Sequence, residues 1–260
     1  MNDRAALEIT WLGQSGYALR LPTGETCWID PYLSDYVEDE LGVPRIVAAP
    51  RDPQVDHVDV VVITHWHQDH LDAPTCKAIA KANPEAVFVC PPSCAGRLAG
   101  WRVPRDRIVE LSRGEEANAG SFVVRGTFAR HDVPGWLAED AIALVIDAGG
   151  TRIFHSGDTE YDSRCLEAKE HGPFDVGIFV TNGSGGNMNA REAALMAHEL
   201  APGVAIPSHY GMWAPEDYGP TATLDPQVFV DYCDRLGGPP TLVLEHGIAT
   251  PVRGRMGAAA

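Results

Sequence analysis

The stretch VDVVVITHWHQDHLD, residues 58–72, constrains the fold more than any other part of the chain. Its first half is nearly continuous in β-branched apolar side chains, the pattern of a strand buried on both faces. A strand of that kind needs neighbours in its sheet and a covering layer above and below. The second half, THWHQDHLD, puts three histidines and two aspartates into nine positions. Crowded imidazoles add nothing to an apolar core, and charged neighbours shift their pKa values at a cost in stability unless something compensates. A bound cation compensates, and the end of a buried strand is the sheet edge where α/β sites lie.

His65, His67 and Asp69 are spaced by two and would project to one side of an extended chain. His70 breaks that phase, so the segment is expected to turn there, with Asp72 and Pro74 starting the next helix. A turn that aims ligands in two directions suits two metal ions. The alternative is a solvated polar loop.

Short apolar runs recur along the chain and predict strands at LEITWL, GYALRL, TCWID, AVFVC, SFVVRGTF, AIALVID, TRIFHS, FDVGIFV, GVAIPS and TLVLE. Helical patterns fall at APTCKAIAKA, PSCAGRLAG, SRCLEAKEHG, NAREAALMAHELA and DPQVFVDYCDRLGG. The early strands follow one another closely, as in a meander, while the later ones alternate with helices. Sheets covered by helices are implied, not a doubly wound nucleotide fold. No low-complexity linker divides residues 1–260, which read as one domain.

With 36 acidic and 20 basic side chains the formal net charge is -16. That surface repels phosphate backbones and anionic membranes, which disfavours nucleic acid as a partner. No apolar stretch approaches the ~20 residues of a membrane span. The start MNDRAALEITW lacks the basic and apolar regions of a secretory leader. The six cysteines, Cys27, Cys76, Cys90, Cys94, Cys165 and Cys233, are expected to be buried free thiols of a cytoplasmic protein.

His-x-His-x-Asp-His after an apolar strand resembles the metallo-β-lactamase superfamily, and four further stretches extend the likeness from about residue 9 to about residue 250. RHDVPG supplies His131, IFHSGDT supplies Asp158, and IPSHYGMW places His209 after an apolar strand; WIDPYLSD holds Asp30, similar to an aspartate used near the metal. The resemblance implies an α+β fold, the αββα four-layer sandwich. It also implies two divalent ions (Mn²⁺ or Zn²⁺, with Fe an alternative), the first on His65, His67 and His131. The second would lie on Asp69, His70 and His209, with Asp158 bridging. Asp69 and Asp158 would carry the catalytic roles, using metal-held hydroxide. GWRVPRDRIVELSRGE and GNMNAREAA are further similar to the L-ascorbate-6-phosphate lactonase-like group. No phosphate-binding constellation matches, so that group's phosphate is not transferred.

Each ligand has a plainer alternative: His131 as a surface histidine, Asp158 as a turn residue, His209 as a hydrogen-bonded core histidine. Asp30 is equally consistent with a cap. His155, three residues before Asp158, is a candidate for orienting a ligand; His57, His171, His198 and His246 lack partners in sequence. TNGSGGNMN is either a loop over the site or a simple connection with Asn189 as N-cap. Trp66, Trp136, Tyr210 and Trp213 either wall an active-site mouth or pack.

The expected function is a metal-dependent hydrolase opening a small lactone or related ester. The alternatives are a phosphodiesterase acting on a small phosphodiester, and a non-catalytic metal-binding member of the fold. A di-iron redox centre like that of flavodiiron proteins is disfavoured, because Gln68 stands where those carry Glu and no flavin domain follows. The expected partner is a small-molecule substrate, with no nucleic acid and no membrane; a homo-oligomer is compatible with everything above.

Overall fold

The computed structural model describes residues 6–253. The chain opens with an antiparallel meander of β1 (Leu7–Gly13), β2 (Gly16–Arg20) and β3 (Thr26–Ile29). After α1 (Tyr36–Leu41) come β4 (Val60–Val62), α2 (Ala73–Ala82), β5 (Val87–Cys90), α3 (Pro92–Gly100) and β6 (Ile108–Glu110). β3, β4, β5 and β6 are parallel neighbours. Next are β7 (Glu116–Ala119), β8 (Phe122–Phe128), a small hairpin of β9 (Asp132–Val133) and β10 (Trp136–Leu137), then β11 (Ile142–Ala148) and β12 (Thr151–His155). The last part runs β13 (Val176–Val180), α4 (Ala190–Leu200), β14 (Val204–Ser208), α5 (Pro215–Tyr218), α6 (Pro226–Leu236) and β15 (Ala249–Val252).

Two sheets result, ordered β15-β1-β2-β3-β4-β5-β6 and β14-β13-β12-β11-β8-β7. Period-two alternation sorts their side chains into layers. In β4, Val60 and Val62 point between the sheets, while Val61 and the following Ile63 point out beneath α2 and α3. In β11, Ile142, Leu144 and Ile146 meet them in the middle, while Ala143 and Val145 face the outer layer on the other side, with Cys165 and Ala168. The buried strand thus gains the cover on both faces that its composition demands, and the layers stack as αββα.

Helix boundaries follow local chemistry. Asp72 caps α2 by accepting from Thr75 N–H, with Pro74 in the first turn. Asn189 caps α4 in a reciprocal box with Glu192. One expectation is refined and one corrected. SRCLEAKEHG is helical as expected, in the form of a 3-10 helix, Ser163–His171. Its buried residues, Cys165 and Ala168, are three apart, which matches three residues per turn. TLVLE is not a strand: Thr241 makes only an isolated bridge to Ala205, and Leu244 alone of the five is buried. Pro240 has no N–H to extend the pairing with β14 on one side and Pro207 of β14 has none on the other, so it is held to two backbone bonds.

Candidate metal centre

The parallel strands of both sheets end on one edge of the sandwich, and the polar residues of interest follow them directly. Asp30 follows β3, His65–His70 follow β4, His131 follows β8, Asp158 follows β12, Asn182 follows β13 and His209 follows β14. The histidine segment is a turn, not an extended chain: His70 and Leu71 both donate their N–H to His67 O, at 3.0 and 2.8 Å. Asp69 therefore parts company with His65 and His67 and faces His209 with His70. The motif does divide into two directions, but Asp69 falls with His70 and not, as an extended spacing of two implies, with His65 and His67.

In the first group three ring nitrogens converge: His65 Nε2 and His131 Nε2 each lie 3.0 Å from His67 Nδ1. Three lone pairs cannot point at one another without a cation or protons between them. The remaining nitrogens show that lone pairs belong there. His67 Nε2 lies 2.8 Å from the Trp136 carbonyl, which only accepts, so that nitrogen carries the proton. His65 Nδ1 lies 3.0 Å from Thr64 Oγ1, whose own proton goes to Asp30 Oδ2 at 2.6 Å. His65 Nδ1 is thus the donor and Nε2 is free to ligate.

In the second group His70 Nδ1 donates to Asp30 Oδ2 at 2.7 Å, turning Nε2 inward. There it lies 3.4 Å from Asp158 Oδ1 and 3.8 Å from Asp69 Oδ2. His209 Nε2 is 3.2 Å from both Asp69 Oδ2 and Asp158 Oδ2, yet neither oxygen meets it in hydrogen-bond geometry. His70 Nε2 and His209 Nε2 are accordingly buried without a partner. Buried polar atoms are rarely left so, and imidazole nitrogens aimed at carboxylates fit a divalent ion among them. His65, His67 and His131 can hold one ion, and Asp69, His70 and His209 a second; Asp158 groups with His65 and His70 between the two.

Electrostatics agree. Burial pushes His65 and His67 below their ordinary value and His131 down to about 4, so all three are neutral and able to ligate. Burial would do the same to His70 and His209. The carboxylates around them, Asp158 foremost, outweigh it and raise His70 well above its usual range and His209 to about 9. Burial would raise Asp69, but His70 and His209 hold it at about 2; the same two histidines hold Asp158 well below the carboxylate range. Among the described residues no Lys or Arg pairs with Asp30, Asp69 or Asp158. Positive charge must come from imidazolium or from metal.

The other candidates sort by contact. Asp30 is wholly buried and accepts from Thr64 N, Thr64 Oγ1 and His70 Nδ1, so it orients ligands of both groups. His155 touches no ligand: it accepts from Gly157 N–H at 3.0 Å and donates to Ser15 O at 3.1 Å, bracing the turn before Asp158. His57 pairs with Asp59, and His246 bonds Leu12 O; neither these two nor His171 or His198 join the cluster. Asn189 is the expected cap, while Asn182, Ser184, Gly185 and Asn187 of the same segment line the site. Trp136 and Trp213 wall the mouth, Trp66 stacks behind Trp136, and Tyr210 is packed on Trp11.

Sequence reasoning missed Thr64, Asn182 and Asn187. Asn187 Nδ2 donates to Asp158 Oδ2 at 2.7 Å. Asn182 Nδ2 lies 3.1 Å from His209 Nδ1 while its Oδ1 is buried and unpaired. Turning that amide by half a rotation lets Oδ1 accept from His209 Nδ1–H, which removes the unpaired oxygen and frees Nε2 to ligate. Thr64 and Asn182 could have been found by position, since each lies within two of a strand end, and Asn187 only through the glycine-rich TNGSGGNMN read as a loop over the site.

Residues 27–210 match the beta-lactamase superfamily domain. A Mycobacterium tuberculosis protein of uncharacterised function is 31% identical over 235 residues, 84% of this chain and 62% of that protein. The chain thus spans less than two thirds of the length of its mycobacterial relatives. A UPF0173 metal-dependent hydrolase of Solibacter usitatus is 30% identical over 221 residues, 80% of this chain and 87% of the relative. Igni18, a metallo hydrolase from Ignicoccus hospitalis, shares the fold at a TM-score of 0.73 and 22% identity, over 96% of this chain and 100% of its own. Sequence match, layer order and the cluster at the sheet edge lead to one assignment: the chain belongs to the metallo-β-lactamase superfamily, with metal-dependent hydrolases among its homologues.

Proposed function

We propose that the chain is a metal-dependent hydrolase that opens a small, uncharged lactone or related ester, as in the lactonase-like group its sequence resembles. The observation that carries the metal is the meeting of His65 Nε2, His67 Nδ1 and His131 Nε2 within 3.0 Å steps beside two buried carboxylates. His65, His67 and His131 would hold one ion, Asp69, His70 and His209 the other, and Asp158 would bridge. Bound there, such ions lower the pKa of water and polarise the oxygen under attack. No protein nucleophile is then required.

The residues of the chain do the rest. Asp69 lines the cleft and is ionised at neutral pH, so it orients the attacking water and takes its proton as oxygen bonds to the acyl carbon. The bond from acyl carbon to ring oxygen breaks, and the proton passes to that oxygen, leaving a hydroxy acid. Selectivity comes from the walls. The cleft, about 240 Å³, is bounded by Leu41, Val133, Trp136 and Trp213, and among the described residues no Lys or Arg lines it. A phosphodiester would enter without a cation from the protein to meet its charge, so the neutral acyl substrate is favoured.

A panel of sugar-type and aliphatic lactones, followed by proton release, tests this beside small cyclic phosphodiesters, RNA and DNA. Turnover of lactones with the nucleic acids uncut is expected. Efficient phosphodiester cleavage with no lactone turned over would replace the reading with the phosphodiesterase one. No turnover of either class by a protein shown to hold its metals would favour a binding role.

A further inference from the structure

The turn joining β1 to β2 touches both carboxylates of the centre, although it contributes no histidine and no acid. Gln14 in that turn is wholly buried and has φ 46°. The left-handed region strains a non-glycine residue and persists only where the surroundings hold it. Here they do: the Gln14 carbonyl accepts from Trp11 Nε1 (2.9 Å), Ser208 Oγ (3.1 Å) and His209 N (3.1 Å). The turn is thereby tied to the strand end that carries His209.

The side chain of Gln14 has only one sensible orientation. Tyr218 in α5 accepts at its hydroxyl oxygen from Met212 N–H at 3.2 Å, so its own proton goes to Gln14 Oε1 at 2.7 Å. Nε2 is left to donate to Asp69 Oδ2 at 3.4 Å. The reversed amide would set an oxygen against a buried carboxylate. Next to Gln14, Ser15 Oγ donates to Asp158 Oδ1 at 3.3 Å.

We propose that Tyr218 and Gln14 form a relay that positions Asp69 for metal binding. The oxygen Gln14 holds, Oδ2, is the one 3.2 Å from His209 Nε2 and 3.8 Å from His70 Nε2, so the relay fixes which oxygen enters the cluster. Asp69 Oδ1 has no hydrogen-bond partner among the described residues and is left for water in the cleft. The Tyr218 ring also packs on Trp213, with centroids 5.2 Å apart, which makes the relay continuous with the cleft wall. Tyr218 and Gln14 are positioning residues; neither lines the cleft. The inference rests on Asp69 being a ligand, and the test separates the two ideas.

Full-length protein stripped of metal is titrated with Zn²⁺ against a chromophoric chelator, and separately with Co²⁺ while its visible spectrum is recorded. Tyr218→Phe removes only a hydroxyl. It is expected to weaken one of the two equivalents by roughly 10- to 100-fold and to shift the cobalt bands, with the other equivalent unchanged. Gln14→Leu should do at least as much. The double variant should be no weaker than Gln14→Leu, because Tyr218 acts through Gln14. Wild-type zinc affinity and cobalt spectrum in Tyr218→Phe would overturn the relay, as would additive losses in the double variant. Should Gln14→Leu fail to fold around its left-handed turn, Tyr218→Phe decides alone. Asp69→Ala is the arbiter of the premise: if it binds both equivalents as the wild type does, Asp69 is not a ligand and the relay falls with it. If Asp69→Ala loses an equivalent while Tyr218→Phe is silent, only the relay falls.

Discussion

Asp30→Asn is a one-atom change at a wholly buried position that should disturb both halves of the centre. Asp30 Oδ2 accepts two protons, from Thr64 Oγ1 at 2.6 Å and His70 Nδ1 at 2.7 Å, while Oδ1 accepts from Thr64 N at 2.8 Å. An amide nitrogen placed at Oδ2 opposes two donors; placed at Oδ1 it opposes the backbone N–H. Hydrogen bonds to a charged acceptor contribute about 1.5–3 kcal/mol each, so losing one or two should lower stability by about 1.5–6 kcal/mol. The effect on metal follows from tautomers. If Nδ1 of His70 must accept from the new amide, Nε2 takes the proton and no longer ligates. His65 feels the change one bond further away, through Thr64. Loss of such an orienting partner typically weakens metal affinity 10- to 100-fold. The zinc equivalent dependent on His70 should weaken by that factor and the one on His65 by less, as read by chelator competition on the stripped protein. Two equivalents of unaltered affinity in a folded Asp30→Asn would refute the claim that Asp30 sets the tautomer of His70.

Asp158→Ala should remove at least one metal equivalent, measured by elemental analysis after gel filtration, while circular dichroism stays native. His131→Ala should lower metal affinity and hydrolysis together, whereas His198→Ala, on the exposed face of α4, should change neither; equal mild effects would remove His131 from the metal centre. Stability of the stripped protein should depend on pH with a definite sign. His209 is raised from 6.5 to about 9, so its contribution, roughly 3 kcal/mol, is full below pH 6.5 and lost as pH climbs through 9. Asp69 is lowered from 3.8 to about 2, so its share is present above pH 3.8 and lost as pH falls through 2. Melting temperatures of stripped protein should therefore decline between pH 6.5 and 9. Zinc binding in that window should release protons, detectable as a heat of binding that varies with buffer ionisation enthalpy. Buffer-independent heats would contradict the protonated state of His70 and His209.

The fold was legible where burial is two-sided and the pattern long. VDVVVIT had to be covered on both faces, and Val60 and Val62 against Val61 and Ile63 show how the layers divide it. TLVLE has strand composition, but two prolines and a half-buried position let the tertiary context override propensity. At the centre, His65, His67, Asp69 and His70 announce themselves by density. His131, Asp158 and His209 stand alone in sequence, and the resemblance to a family brought them in before the geometry did. Their supports stayed hidden for a physical reason. Gln14, Ser15, Thr64, Asn182 and Asn187 are neutral polar residues in turns, indistinguishable from solvated loop residues until the sheets bring four of them to carboxylates up to 143 positions away and Asn182 to His209. Asp30 lay between, visible as a polar residue at a strand end but not as the hinge of three hydrogen bonds.

The most direct measurement is a count of metal. Full-length protein, stripped and then titrated with Zn²⁺ or Mn²⁺ under chelator competition, should take up two equivalents per chain. His131→Ala should lose one equivalent, His209→Ala the other, and the loaded wild type alone should hydrolyse substrate. A single equivalent in the wild type, or two equivalents retained in both variants, would contradict the paired centre described for this sheet edge.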